Sequence, residues 1–193
     1  GRVSRVEESY QNLDTRIMSG FDVALYYSFN NALGNFNLAF NIAKLEKFKQ
    51  KAGNDFIKLI EAQENGIIPN ELAITGFSDL IEKDGSPEIQ ASFKFLWNKN
   101  SWGLGLFGKH IGEFYETRNK LSDGRLWKVK AYNTINGHID YYINSNSSNS
   151  RIRLGINNIT DERAPLASEI FGYYFDKHDN LGRYYYLDMS YKF

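Results

Sequence analysis

Apolar and polar residues alternate along segment after segment of this chain. From Phe21 to Phe29 every second residue is apolar or aromatic, and the same period continues from Phe36 to Ile42. Similar runs occur at residues 91–97, 102–106, 129–143, 152–156 and 185–193. A period of two places alternate side chains on the two faces of a β-strand. The pattern predicts an all-β fold: an antiparallel up-and-down meander of about eight strands, from residues 3–10 to residues 184–193.

One face of these strands is apolar and the other is polar. The polar face carries Lys, Arg, Asp and Asn, and both a soluble sheet with one buried face and a membrane strand produce such alternation. In a membrane barrel, the apolar set would face outward. Representative members of that set are Phe21, Leu38, Phe95, Leu104, Ile139, Leu154 and Leu187.

Short and long connections alternate between the predicted strands. The short connections fall near residues 30–35, 98–101 and 144–150, and the long ones near 49–86, 117–127 and 159–182. Bacterial outer-membrane barrels have short periplasmic turns and longer extracellular loops, so the alternation favours part of a larger transmembrane β-barrel. In the longest connection, Phe56, Leu59 and Ile60 have helical spacing, which predicts a short helix capped by Asn54.

Composition narrows the choice of protein class. The chain has 13 Tyr, 14 Phe and 3 Trp, residues that suit strands and the membrane interface. Lys and Arg together number 23, as do Asp and Glu, so no net charge attracts nucleic acid. Cysteine is absent, which excludes disulfides and thiolate metal sites. No apolar run is long enough for a transmembrane helix, a limit that does not apply to strands.

The sequence offers little for catalysis, and we expect no catalytic, metal or cofactor site. None of the three histidines, His110, His138 and His178, has metal-ligand spacing to another. His138 and Asp140 share one strand face, which we interpret as polarity of a lumen wall rather than as a base with its orienting carboxylate. The glycines at 103 and 105 lie inside a strand and predict a thin part of that wall.

Motifs near the end of the chain, and others in order before them, carry a family resemblance. Residues 154–165 read LGINNITDERAP, Gly182-Arg183 precedes the last strand, and Phe193 ends the chain two positions after Tyr191. The first stretch resembles the GxxNLxDxxPP motif at the top of the penultimate strand in TonB-dependent outer-membrane receptors, with Ala-Pro in place of the double proline. Gly20-Phe21-Asp22 resembles the GxD/E that opens an earlier strand, residues 84–88 resemble the loop end before another, and the terminal Phe resembles a barrel-assembly signal.

The resemblance implies a role and a set of partners. Residues 1–193 would be the C-terminal segment of a receptor barrel of about 22 strands, without the plug domain, so the first and last strands should not pair. The receptor would take up a scarce nutrient (an iron chelate, a cobalamin-like molecule or an oligosaccharide) across the Gram-negative outer membrane, using inner-membrane energy. Its partners would be outer-membrane lipid, the plug and the rest of the barrel, TonB through a part outside this chain, and the barrel-assembly machinery.

Aromatic and polar residues in the long loops are candidate substrate contacts, because loops of such receptors bind the ligand. They are Tyr115, Arg118, Trp127, Phe171, Tyr173, Tyr174 and His178. An interfacial aromatic girdle or ordinary loop packing would account for the same residues without a ligand. Two other functions stay open: a small passive porin-like or structural barrel, and a soluble carbohydrate-binding β-domain.

Overall fold

The chain forms one large antiparallel sheet and one small one, in a computed structural model that describes residues 14–145 and 148–192. In chain order the elements are β1 (Arg16–Asn31), β2 (Gly34–Gln50), α1 (Asn54–Glu64), β3 (Ser78–Asp79), β4 (Ile89–Lys99), β5 (Trp102–Ile111), β6 (Phe114–Lys120), β7 (Leu126–Val129), β8 (Tyr132–Ser145), β9 (Ser148–Asn157) and β10 (Tyr184–Lys192).

The main sheet is a meander of eight antiparallel strands. Its order is β1-β2-β4-β5-β8-β9-β10, and the two-residue β3 pairs with the end of β2. The predicted all-β antiparallel meander is therefore confirmed, although its first expected strand, residues 3–10, lies outside the described residues. Within those residues the edge strands β1 and β10 do not pair with each other, so the sheet is not closed into a barrel by itself.

Cross-strand register places the apolar side chains of the main sheet on one face. Directly opposite residues of an antiparallel pair point to the same face, and one row of partners runs through Leu104, Ile139, Leu154 and Leu187. Leu38 lies opposite Phe95, and Phe21 joins the same set two positions before Val23. All seven residues expected to share a face do so. We call this the apolar face, and the opposite one the polar face.

Short turns lie at one end of the sheet and long connections at the other. The described turns are residues 32–33 and 100–101, and β8 and β9 pair as far as Ser145 and Ser148 at the same end, whereas the long connections cover residues 51–88, 112–131 and 158–183. We call these the turn end and the loop end. Lys99 Nζ and Trp97 Nε1 each donate to a carbonyl of the first turn, at 2.8 Å, to Ala32 and Leu33 respectively. These hydrogen bonds link the β1–β2 hairpin to the neighbouring β4–β5 hairpin at the turn end.

Three local expectations are corrected. The helix forms as predicted, but Gly53 is its N-cap and Asn54 is the first helical residue, without a side-chain cap. The strand expected across residues 129–143 is interrupted, because Val129 pairs with Phe114 in the small β6–β7 sheet while Tyr132 pairs with Ile111 of the main sheet. The alternation continues across this change of partner. Gly20 does not open β1 but lies at a bulge inside it.

The buried apolar residues lie mostly at the loop end rather than along the apolar face. Ile111, Phe114, Val129 and Tyr132 are almost completely inaccessible to solvent. Ile111 is two positions after Lys109, which pairs with Thr134 on the polar face, so this core extends from the polar side of the sheet. The apolar face itself has no comparable cover among the described residues.

Candidate functional site

The apolar face is broad and exposed. Leu25, Leu154 and Met189 have 64%, 63% and 68% of their surface accessible. Seven neighbouring strands span about 29 Å, and the eight steps from Ile135 to Ile143 on β8 cover about 27 Å. The resulting patch of about 800 Å² exceeds the few hundred Å² usual on soluble monomers.

Rings and polar groups bound the apolar face at its two ends. At the turn end, Phe29 stacks on Phe36 with ring centroids 4.6 Å apart, and Trp102 lies 4.8 Å from Tyr141. At the loop end, His110 Nδ1 and Asn133 Oδ1 form a 2.6 Å hydrogen bond on the same face. The face therefore changes from aromatic, through mixed aliphatic and aromatic, to polar along the strands.

A cluster of charged side chains occupies the polar face. Asp140 is only 3% exposed and accepts two hydrogen bonds from Arg153, from Nε at 2.6 Å and from Nη2 at 2.9 Å. The Tyr142 hydroxyl donates to the same carboxylate at 3.3 Å, and His138 Nε2 lies 3.4 Å from it. A bidentate guanidinium is a strong, directional partner. Asp140 is therefore engaged by Arg153 rather than reserved for orienting His138, which argues against a catalytic pair.

Rings cover two glycines on the polar face. A Cβ atom at Gly105 would overlap the His138 ring, and one at Gly155 would overlap the Tyr186 ring. A Cβ atom at Gly103 would come within 3.3 Å of Asp140. The glycines at 103 and 105 thus make room for the side chains of β8, and the expectation of a thin wall there is wrong.

Hydrogen bonds and an aromatic contact join the β6–β7 hairpin to the connection at residues 158–183 at the loop end. Trp127 Nε1 donates to the Leu166 carbonyl at 2.9 Å, and the Glu116 carboxylate accepts the Ser168 N–H at 2.8 Å. Tyr174 meets the Phe114 ring edge-on, with centroids 4.9 Å apart. Burial, followed by the nearby Glu116, raises the pKa of Tyr174. The structure therefore brings Trp127, Tyr174 and His178 into one loop assembly.

The other predicted contact residues lie around this assembly. Lys128 Nζ stands 5.8 Å from the Tyr115 ring centroid, Arg118 is exposed, and Tyr173 is half-buried. Phe171 is exposed and packs on Phe175 with ring centroids 5.6 Å apart. A ligand role for the seven loop residues stays a prediction. Sequence reasoning missed Phe114, which joins the hairpin to the connection, although its aromatic ring in an alternating segment was a usable signal.

A polar cavity of about 380 Å³ lies between the polar face and residues 175–182. Lys109, Thr134 and Tyr184 line it from the sheet, and Lys177 and His178 line it from the connection. Tyr132 closes one side, where its hydroxyl donates to the Asp179 carbonyl at 2.6 Å. The connection therefore returns over the sheet instead of extending away from it.

Of the two residues expected to form an assembly signal, Tyr191 lies on the apolar face of β10 and is 64% exposed. Phe193 lies outside the described residues.

Two searches within residues 14–145 and 148–192 are negative. No three His, Asp or Glu side chains lie close enough together to hold a metal ion. No helix there has the length and apolar character needed to cross a membrane. A scan against known protein families and searches of curated proteins and of solved structures likewise find no match to this chain.

Proposed function

We propose that this chain forms part of the wall of a transmembrane β-barrel in the outer membrane of a Gram-negative bacterium. The observation that carries the proposal is the continuous apolar face, which crosses the sheet from β1 to β10, while the polar face holds the ion pairs Arg153–Asp140, with a buried carboxylate, and Arg151–Asp188, which is partly exposed. Lipid on one side and water or polar protein on the other would satisfy both faces. The strands of the main meander, with 9 to 17 residues each apart from the short β3, are long enough to cross a membrane, which takes about 9–11 residues of tilted strand.

The unpaired edges support membership of a larger barrel. A barrel avoids exposed edges by closing on itself, and in the described residues β1 and β10 each have only one partner strand. In this proposal the rest of the barrel supplies the missing neighbours. A soluble carbohydrate-binding domain would instead need a second layer over the apolar face, and the described residues contain none.

The proposed role of the complete barrel is active transport of a scarce nutrient, such as an iron chelate, a cobalamin-like molecule or an oligosaccharide. This step rests on the motif resemblance to TonB-dependent receptors, above all at residues 154–165 and 182–183. A plug inside the barrel and TonB at the inner membrane would be partners through parts outside this chain. The assembly at the loop end, with Trp127, Tyr174 and His178, would contribute to the extracellular surface.

Fluorescence quenching by brominated lipid tests the membrane placement. The full-length protein would be prepared in two single-tryptophan forms, retaining either Trp102 on the apolar face or Trp127 in the loop assembly. Brominated acyl chains should quench Trp102 strongly, because its side chain is 51% exposed on the proposed lipid surface. Trp127, hydrogen-bonded to the connection, should be quenched little. Equal quenching of the two forms would contradict the proposal.

A growth experiment tests the transport role separately. A strain lacking the full-length protein should grow poorly when one nutrient class (chelated iron, cobalamin or an oligosaccharide) is limiting. Inactivation of TonB in the parent strain should reproduce that defect. A defect that is independent of TonB would favour the passive porin-like alternative and leave the membrane placement intact.

A further inference from the structure

His178 occupies a slot between two aromatic rings at the loop end. Its imidazole lies parallel to Phe114, with a 7° angle and centroids 6.1 Å apart, and contacts Tyr132 at 5.1 Å. The residue is 3% exposed, and neither ring nitrogen has a hydrogen-bond partner among the described residues. Buried polar groups are usually paired, and an exception calls for a physical explanation. In this slot the flat imidazole ring makes mainly apolar contacts with the two aromatic rings.

With the exception of Asp176, the groups packed around this slot oppose a positive charge or do not compensate it. Phe114 of β6 is apolar, and the hydroxyl of Tyr132 of β8 donates to the Asp179 carbonyl. The ammonium group of Lys109 of β5 is a nearby positive charge. Asp176 and Lys177 of the connection pair with each other at 2.7 Å. Burial, and then Lys109, lowers the pKa of His178, whereas Asp176 acts in the opposite direction and Lys177 adds to the lowering.

Two described hydrogen bonds hold the segment around His178 against the sheet, and Asn180 further along accepts hydrogen bonds from Arg163 Nη1 at 3.3 Å and from the Ala164 N–H at 3.2 Å, within the connection itself. Tyr132 donates to Asp179, and Lys109 Nζ donates to the Lys177 carbonyl at 3.3 Å. Aromatic packing of Tyr174 and His178 on Phe114 supplies the remaining described contacts to β6. We call residues 174–182 the latch segment, because residues 175–179 and 182 within it line the side of the partly open polar cavity that faces the sheet. Removing the His178 ring from its slot would therefore weaken the contacts that keep the cavity covered.

We propose that protonation of His178 releases the latch segment from the polar face and opens the cavity beneath it. An imidazolium has two N–H donors, and both would be unpaired in the slot and close to the Lys109 ammonium. Water outside the slot can hydrate the cation, so the protonated ring favours the open conformation. The inference concerns the loop end alone and does not depend on the proposed transport function.

The direction of the pH dependence is fixed by linkage. The closed conformation lowers the pKa of His178 below its ordinary value of about 6.5. Its contribution to the closed state is therefore complete above about pH 6.5 and declines as the pH falls below that value. One proton can lower the closed-to-open ratio by at most about tenfold per pH unit.

Electron paramagnetic resonance distances test the proposal in the full-length protein. Spin labels would be attached at Leu181→Cys in the latch segment and at Ser92→Cys on β4, in a background without other cysteines. At about pH 7.5 one narrow distance distribution is expected, and at about pH 5 a second, longer population should appear. The His178→Phe variant fills the slot but cannot be protonated, so it should keep the narrow distribution at both pH values. His110→Gln, a control at a histidine of β5 on the apolar face, should retain the pH response.

A measurement on the unaltered protein covers the case in which His178→Phe fails to fold. Deuterium exchange at the imidazole C2 position, monitored by mass spectrometry of the peptide that contains His178, gives its titration midpoint. A midpoint below about 6.5 is expected. A midpoint at or above that value, an unchanged distance distribution at low pH, or an unaltered pH response in His178→Phe would each overturn the proposal.

Discussion

Leu25 and Ala24 form a matched pair for testing which side of the sheet meets lipid. Leu25 lies on the apolar face opposite Phe40, at the centre of the run from Phe21 to Phe29, and is 64% exposed. Ala24, the preceding residue, is exposed on the polar face opposite Asn41. Replacing each of them by Arg introduces the same charge at nearly the same depth but on opposite faces.

The expected cost depends on the position of Leu25 along the strand. Four residue steps, or about 14 Å of strand, separate it from either end of the apolar run. A strand tilt of about 45° converts this length into a depth of about 10 Å. A cation near the middle of the membrane costs about 2–4 kcal/mol, which lowers the folded-to-unfolded ratio by about 30- to 900-fold. Ala24→Arg, with water or polar groups beside it, should change the free energy of unfolding by less than about 0.5 kcal/mol.

Urea titration of the full-length protein in lipid vesicles measures both variants. The folded fraction is measured by the faster migration of unheated barrel on a denaturing gel. If Leu25→Arg and Ala24→Arg lower the free energy of unfolding equally, the apolar face is not a lipid surface. A larger loss for Ala24→Arg would reverse the assignment of the two faces.

Three other changes give separate tests. Arg153→Met leaves the buried Asp140 carboxylate unpaired and should cost about 3–5 kcal/mol in urea titration; adding Asp140→Leu should recover most of the loss, and a neutral single variant would contradict the importance of the pair. Gly155→Ala forces a methyl group against the Tyr186 ring and should cost about 1–3 kcal/mol, a penalty that Tyr186→Ala should relieve; additive effects in that double-mutant cycle would rule out the ring-over-glycine contact. Deletion of Phe193 should reduce the folded barrel recovered in outer-membrane fractions, and a normal yield would remove its proposed assembly role.

The fold was predictable because strand alternation is a local property of the sequence. Residues such as Leu38 and Phe95 could be assigned to one face from the alternation alone, without knowing which strands pair. A one-residue shift in strand register would place each of them on the wrong face. The exchange of partners between Val129 and Tyr132 was not predictable in this way. The alternation of apolar and polar residues continues across the break. It does not show whether β6 or β5 is the strand to which these residues hydrogen-bond.

The ion pairs and the loop assembly depend on non-local geometry. His138 and Asp140 could be placed on one strand face, but the match of Asp140 with Arg153 requires the register of the β8–β9 hairpin. The slot for His178 requires residues of β6 and β8 to meet a connection more than forty positions away in the sequence. The aromatic character of the loops therefore identified some members of the assembly without showing that His178 is buried.

The pairing of six strands of the main sheet as three hairpins also bears on the order of folding. The hairpins are β1–β2, β4–β5 and β8–β9, whereas residues 51–88, 112–131 and 158–183 separate each hairpin from the next strand of the main meander. Closing the first of those connections costs roughly 2–3 kcal/mol more chain entropy than closing a two-residue turn. Hairpins form within about 1–10 μs. On chain entropy alone, we expect the three hairpins to form before β2 docks on β4, β5 on β8, and β10 on β9.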